Sequence, residues 1–266
     1  MSLLFLASLM TGLAAGVIAG LLGVGGGILI VPALLFLFFI DGMNSVISMQ
    51  LAVGTSLATI VVTNLSATWN HHLRNSVDWE MVPQYAPGIL MGAWFGAQTA
   101  SGMNGETLRL AFGVFEIVVG LAMILQSAPG KTDAQNEIHP FLHPFLGFGI
   151  GFLSSLFGIG GGTLSVPTLN LLTGLTIHRA VGTSSALGII LALAGATGYI
   201  HAGWNHSALP PHAVGFVVPA AFLGIVVGTL LTTPLGVRLA HTFSPGQLKK
   251  GFGYFLLVVG LKLVWV

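Results

Sequence analysis

Gly23-Val24-Gly25-Gly26-Gly27-Ile28-Leu29-Ile30-Val31-Pro32 returns 135 residues later as Gly158-Ile159-Gly160-Gly161-Gly162-Thr163-Leu164-Ser165-Val166-Pro167. Each tract interrupts a long apolar run with residues that resist a regular helix, then resumes with aliphatics and a proline. Within hydrocarbon, irregular backbone is tolerated only where it is buried in protein or lines a cavity. The two tracts are therefore where function is expected, with the rest of the chain holding them face to face.

The 266 residues are 54% hydrophobic and 6% charged, with a mean hydropathy of +0.93. Soluble domains carry about 25% charged residues, so this chain cannot cover a water-facing surface and reads as an integral membrane protein. Several stretches reach the roughly 20 apolar residues of a spanning helix, and the short alternating strands of an outer-membrane barrel are missing from the pattern. The expected class is an all-α polytopic membrane protein. Glycine, at 38 residues, suits close helix packing and helix breaks. A net charge of +1 gives no reason to expect nucleic acid, and the lack of cysteine excludes disulfides and thiolate metal sites. The start, Met1-Ser2-Leu3-Leu4-Phe5, lacks a basic n-region and reads as a first membrane segment.

Eight apolar blocks follow in order, at about 3–40, 45–70, 82–102, 107–126, 141–175, 178–201, 212–235 and 247–266, and the last four repeat the first four. Val53-Gly54-Thr55-Ser56 recurs as Val181-Gly182-Thr183-Ser184. Pro87, Gly92 and Gly96 match Pro219, Gly224 and Gly228, and Phe112-Gly113 with Val118-Val119-Gly120-Leu121 matches Phe252-Gly253 with Val258-Val259-Gly260-Leu261. The division is a first membrane repeat at 1–127, a linker at 128–140 and a second repeat at 141–266.

A straight helix over block 3–40 would measure about 57 Å against a hydrocarbon core of about 30 Å. The block therefore reads as a re-entrant hairpin or two short helices that start and end on one side. Three further crossings then make the repeats inverted in topology. Basic residues agree: inversion puts Arg74, Lys131, Arg179, Arg238, Lys249 and Lys250 on one side against Arg109 and Lys262, a cleaner split than a parallel repeat allows. The linker is then cytoplasmic and both termini lie outside.

The tracts are neither a Walker A loop nor a dinucleotide fingerprint, since Ile28 and Thr163 stand where the last glycine of the latter belongs. Free backbone amides and a helix N-terminus just beyond make each a ready anion site, and paired broken helices at the midplane hold substrate in many secondary transporters. Candidate substrate-binding residues are Gly25, Gly26, Gly27, Gly160, Gly161, Gly162 and Thr163, with the VGTS residues Thr55, Ser56, Thr183 and Ser184. Thr55, Thr59 and Thr63 form a polar stripe on one face, with Ser56 and Asn64 adjacent. Such hydroxyls either line the site or bond the preceding turn. Glu116 is the one acidic residue deep in an apolar block, a candidate for proton coupling or for a structural ion pair with Arg109 or Lys262. The nine histidines sit at block ends or in loops, without metal-ligand spacing.

Two GxGGGxxxVP tracts, each followed by a VGTS-type motif in a duplicated membrane chain of this length, resemble the sulfite exporter TauE/SafE family of permeases. The resemblance spans the whole chain, through Gly25, Gly26, Gly27, Pro32, Gly160, Gly161, Gly162 and Pro167. It implies a bacterial inner-membrane transporter of sulfite, organosulfonates such as sulfoacetate, or related anions. The motif does not name the cargo. Thr163 and Ser165 stand where the first tract has Ile28 and Ile30, which puts more hydroxyl donors on one side of a shared site.

The expected function is secondary transport of a small sulfur-containing anion by alternating access; the alternative is a transporter or channel for another ion or a small carboxylate. A cation channel would require several buried carboxylates, and an embedded hydrolase a Ser or Asp pair with a positioned base. Expected partners are the anion, the lipid bilayer, protons as coupling ion and a second copy in a homodimer. No cofactor, metal or nucleic acid is expected.

Overall fold

The computed structural model describes residues 2–22, 26–43, 46–125, 139–240 and 245–265, with side chains left aside at 2, 19–22, 236–240 and 245–249. The 128–140 linker falls almost wholly outside the described residues, as do Gly23, Val24 and Gly25. The described chain is helical: α1 (Ser2–Leu22), α2 (Gly27–Ile40), α3 (Ser48–His72), α4 (Met81–Gly102), α5 (Gly105–Leu125), α6 (His143–Phe157), α7 (Gly162–Leu172), α8 (Ile177–Gly203), α9 (Pro219–Ala240) and α10 (Pro245–Trp265). Among the described residues the only β-bridge is Val214 with Val217.

Length sorts these helices. Among the described residues four segments are long and apolar enough to cross a membrane: α3, α5, α8, and α6 with the 3-10 turn before it. The arms after the glycine tracts are shorter. α2 has 14 residues and α7 has 11, about 21 and 16 Å at 1.5 Å per residue, against a core of about 30 Å. Pro32 and Pro167 lie inside these arms, each removing the amide that would bond the carbonyl one turn earlier.

Glycine ridges set the packing. Gly88, Gly92 and Gly96 of α4 lie against the backbone of Pro144, Phe148 and Phe152 in α6, while Gly147 and Gly151 of α6 lie against Tyr85 and Ile89. The numbers rise together, so α4 and α6 are parallel. α1 and α9 pair in the same way: Gly12 and Gly16 face Ile225 and Thr229, and Gly224 and Gly228 face Phe5 and Leu9. Small residues at four-residue spacing let membrane helices approach to backbone contact where the hydrophobic effect between them is absent.

Two other pairs run antiparallel. Gly113 of α5 faces Gly260 of α10, and Gly120 faces Gly253. Gly54 of α3 meets Tyr199 of α8, Leu57 meets Gly195, and Asn64 meets Gly188. α3 and α8 are the most buried of the long helices and form the centre, with α2 against α3 and α7 against α8. The pairing α1–α9, α4–α6, α3–α8, α5–α10 is unchanged when α1–α5 are exchanged in order for α6–α10.

Candidate functional site

The second glycine tract turns by two specific conformations. Gly158 ends α6 in the left-handed region, φ 70°. Its N–H donates to the Ser155 carbonyl and the Ile159 N–H reaches back to Ser154, at 3.3 and 2.8 Å, the Schellman pattern that glycine enables at a helix end. Gly161, φ 77°, opens α7, and its carbonyl accepts from Leu164 and Ser165. The N–H groups of the first α7 turn lack intrahelical acceptors and carry the positive end of the helix dipole. In the first tract Gly26 opens α2 and accepts from Leu29 and Ile30.

The two breaks touch. A Cβ on Gly27 would lie 2.6 Å from the Gly158 carbonyl oxygen and 3.0 Å from the Ile159 Cα. Helix α3 clamps the contact: Ser56 Oγ donates to the Gly158 carbonyl at 2.8 Å, and Ile60 packs against both Gly27 and Gly160. Phe157, the last residue of α6, is held from behind by Phe112 and Phe115 of α5.

Four polar side chains around the second break have buried atoms with no hydrogen-bond partner: Ser154 and Ser155 in the last turn of α6, Thr163 in the first turn of α7, and Asn64 of α3. The Asn64 Nδ2 lies 3.7 Å from where a Cβ on Gly160 would stand, and a Cβ on Gly188 would run into it. Buried polar groups are nearly always paired in folded proteins, so this cluster marks the break. Ser165 is buried beside Gly161. Sequence reading put Asn64 next to the polar stripe without making it a site residue; its position opposite Gly160 depends on how α3 meets the second tract.

The VGTS threonines act as matched struts. Thr55 Oγ1 accepts from the Val218 amide at 3.0 Å, and Thr183 Oγ1 accepts from the Asp78 amide at 2.9 Å. Each holds the segment entering a helix of the other sequence half, α9 or α4, and each hydroxyl keeps its own proton to donate. Thr59 and Thr63 bond the preceding turn, at the Ser56 and Ile60 carbonyls. Ser184 is buried on α8. Gly26, Gly27, Ser56, Gly160, Gly161, Gly162 and Thr163 thus gather at the paired breaks, while Thr55 and Thr183 brace the helices beside them. Gly25 lies outside the described residues.

Glu116 is fully buried on α5, and neither carboxylate oxygen has a partner. It lies between Gly113 and Gly120, the two glycines that α10 crosses. Lys262 sits 5.4 Å over the Phe36 ring instead, and the ion pair found among the described residues is Arg179–Asp78 at 2.8 Å. A cavity of about 490 Å³ opens at the end of α8, lined by His201, Ala202, Trp204, Asn205 and His206. Thirteen residues separate His201 from Gly188, about 20 Å of helix, so this cavity is remote from the breaks. No group of three or more His, Asp or Glu suited to a metal occurs among the described residues.

Membrane-length helices arranged around two touching broken helices define a polytopic membrane transporter. Comparison with known proteins names its kind: the family model "Sulfite exporter TauE/SafE" matches residues 8–263, and the chain belongs to that family. A probable membrane transporter protein of Haemophilus influenzae is 32% identical, covering 96% of both chains. The probable membrane transporter protein YunE of Bacillus subtilis is 29% identical over 88% of this chain and 90% of its own. A probable membrane transporter protein of Methanocaldococcus jannaschii is 27% identical over 95% and 92%. No solved structure matches the chain.

Proposed function

We propose that this transporter carries a small sulfur-containing oxyanion, sulfite or an organosulfonate such as sulfoacetate, across the bacterial inner membrane. The observation that carries the reading is the contact between the two glycine breaks, with partnerless buried donors around the second. Helix N-termini and neutral donors suit an anion that must bind and then leave. None of the described Lys or Arg side chains is buried, so binding rests on amides and hydroxyls: Gly25, Gly26, Gly27, Gly160, Gly161, Gly162 and Thr163, with Thr55, Ser56, Thr183 and Ser184 behind them.

Residues 1–127 and 141–266 act as inverted halves around this site, joined by a cytoplasmic segment. The antiparallel meeting of α5 with α10 and of α3 with α8 supports inversion, because a two-fold axis relating such pairs lies across the helices. Alternating access rocks helix groups about the breaks, and the partnerless Glu116 is the group for proton coupling.

The test is uptake of labelled sulfite and sulfoacetate into proteoliposomes. Gly161→Leu puts a branched side chain on a left-handed residue at the α7 N-terminus and abolishes uptake in protein that still purifies as a folded species. Unimpaired uptake by that variant overturns the reading.

A further inference from the structure

We infer that the cargo is held from one side, at the second break, and that the Asn64 carboxamide is the side chain that grips one of its oxygens. This rests on the anion-transport reading above.

Among the described residues the unpartnered donors are distributed unequally between the two breaks. Asn64, Ser154, Ser155 and Thr163 flank the second. The repeat offsets place Ala192, Ala19, Gly20 and Ile28 at the corresponding positions of the first. Ile28, Ile30 and Ala192 are buried apolar residues, so among the described residues the unpartnered donors gather at the second break.

Asn64 carries the assignment. Its residue is 6% exposed, and its Nδ2, with two hydrogens to donate, has no acceptor in the protein. It points into the space kept clear by the missing side chains of Gly160 and Gly188, beside the α7 N-terminus. A buried amide left unpaired is destabilising, and Leu would fill a similar volume without that cost. The Asn64 Nδ2 can only donate, and with the positive helix end beside it favours a ligand oxygen that accepts without donating. That describes a fully ionised oxyanion.

The experiment compares wild type with Asn64→Leu in proteoliposomes, using labelled sulfite and sulfoacetate, alongside the melting temperature of the purified protein. Losing a hydrogen bond to a charged ligand raises KM about 10- to 100-fold, while the melting temperature stays level or rises because the unpaired group is gone. A purely structural Asn64 gives the reverse: lower melting temperature and unchanged KM. Uptake by Asn64→Leu within twofold of wild type overturns the inference. If that variant does not fold, the near-isosteric Asn64→Asp takes its place, and wild-type uptake by it also overturns the inference. Wild-type protein that moves neither anion overturns the sulfur-anion reading above, an outcome separate from a variant that moves both normally.

Discussion

Gly27→Ala adds one methyl group where the two breaks meet. The new carbon would stand 2.6 Å from the Gly158 carbonyl oxygen, 2.8 Å from Ile60 Cδ1 and 3.0 Å from the Ile159 Cα. The Ile60 methyl can rotate away, but the other two are backbone. Restoring ordinary contact pushes the breaks apart by about 0.8 Å, overpacking of the kind that costs about 1–3 kcal/mol. The Gly158 carbonyl also holds the Ser56 hydroxyl, and losing that bond adds about 1 kcal/mol. The folded protein survives a loss of this size, but site geometry tolerates only about 0.5 Å of displacement, so transport falls by about tenfold or more. Gly149→Ala is the control, since nothing lies within 4 Å of the added carbon there. Initial rates of labelled sulfite uptake, normalised to folded protein, give the comparison. If Gly27→Ala transports within twofold of Gly149→Ala, the breaks are not the site.

Other expectations follow from the struts and the acid. Thr55→Val and Thr183→Val each orphan a backbone amide, at Val218 and Asp78, costing about 1–3 kcal/mol in thermal or denaturant unfolding; Ser at either position restores most of it. Arg179→Ala removes an exposed ion-pair partner and costs about 0–1 kcal/mol. Asp78→Ala costs about 1 kcal/mol more, because Asp78 Oδ1 also accepts from the Glu80 and Met81 amides at the start of α4; equal losses in the two variants refute the capping role. Glu116→Gln keeps the shape of the α5–α10 crossing and flattens the pH profile of uptake, and an unchanged profile removes Glu116 from coupling.

Much of the helix plan was readable because membrane helices announce themselves by length and composition. Seven of the eight apolar blocks and both breaks reappear within a few residues, while the helix of the block at 212–235 starts only at Pro219, after the Val214–Val217 bridge. The contact between the breaks was anticipated from the matched tracts. The roles of Thr55 and Thr183 were not readable, since their partners, Val218 and Asp78, lie 163 and 105 residues away and no local pattern encodes such a pairing. Asn64 was underweighted for the same reason: what matters is the bare face of Gly160 and Gly188 opposite it. The four-residue glycine spacings at Gly12/Gly16, Gly88/Gly92/Gly96, Gly147/Gly151 and Gly224/Gly228 mark the contact faces of α1, α4, α6 and α9.

Those ridges also bear on how the chain is made. α1 packs on α9, which begins at Pro219, so the first helix is synthesised long before its partner exists. At a synthesis rate of about 5–20 residues per second, α1 waits roughly 10–40 s for α9 to emerge. Through that interval Gly12 and Gly16 present a bare backbone ridge to lipid or to the insertion machinery. α4 waits a much shorter time for α6. The first helix therefore gains its mate only late in synthesis, and a nascent chain stalled before residue 219 holds α1 alone.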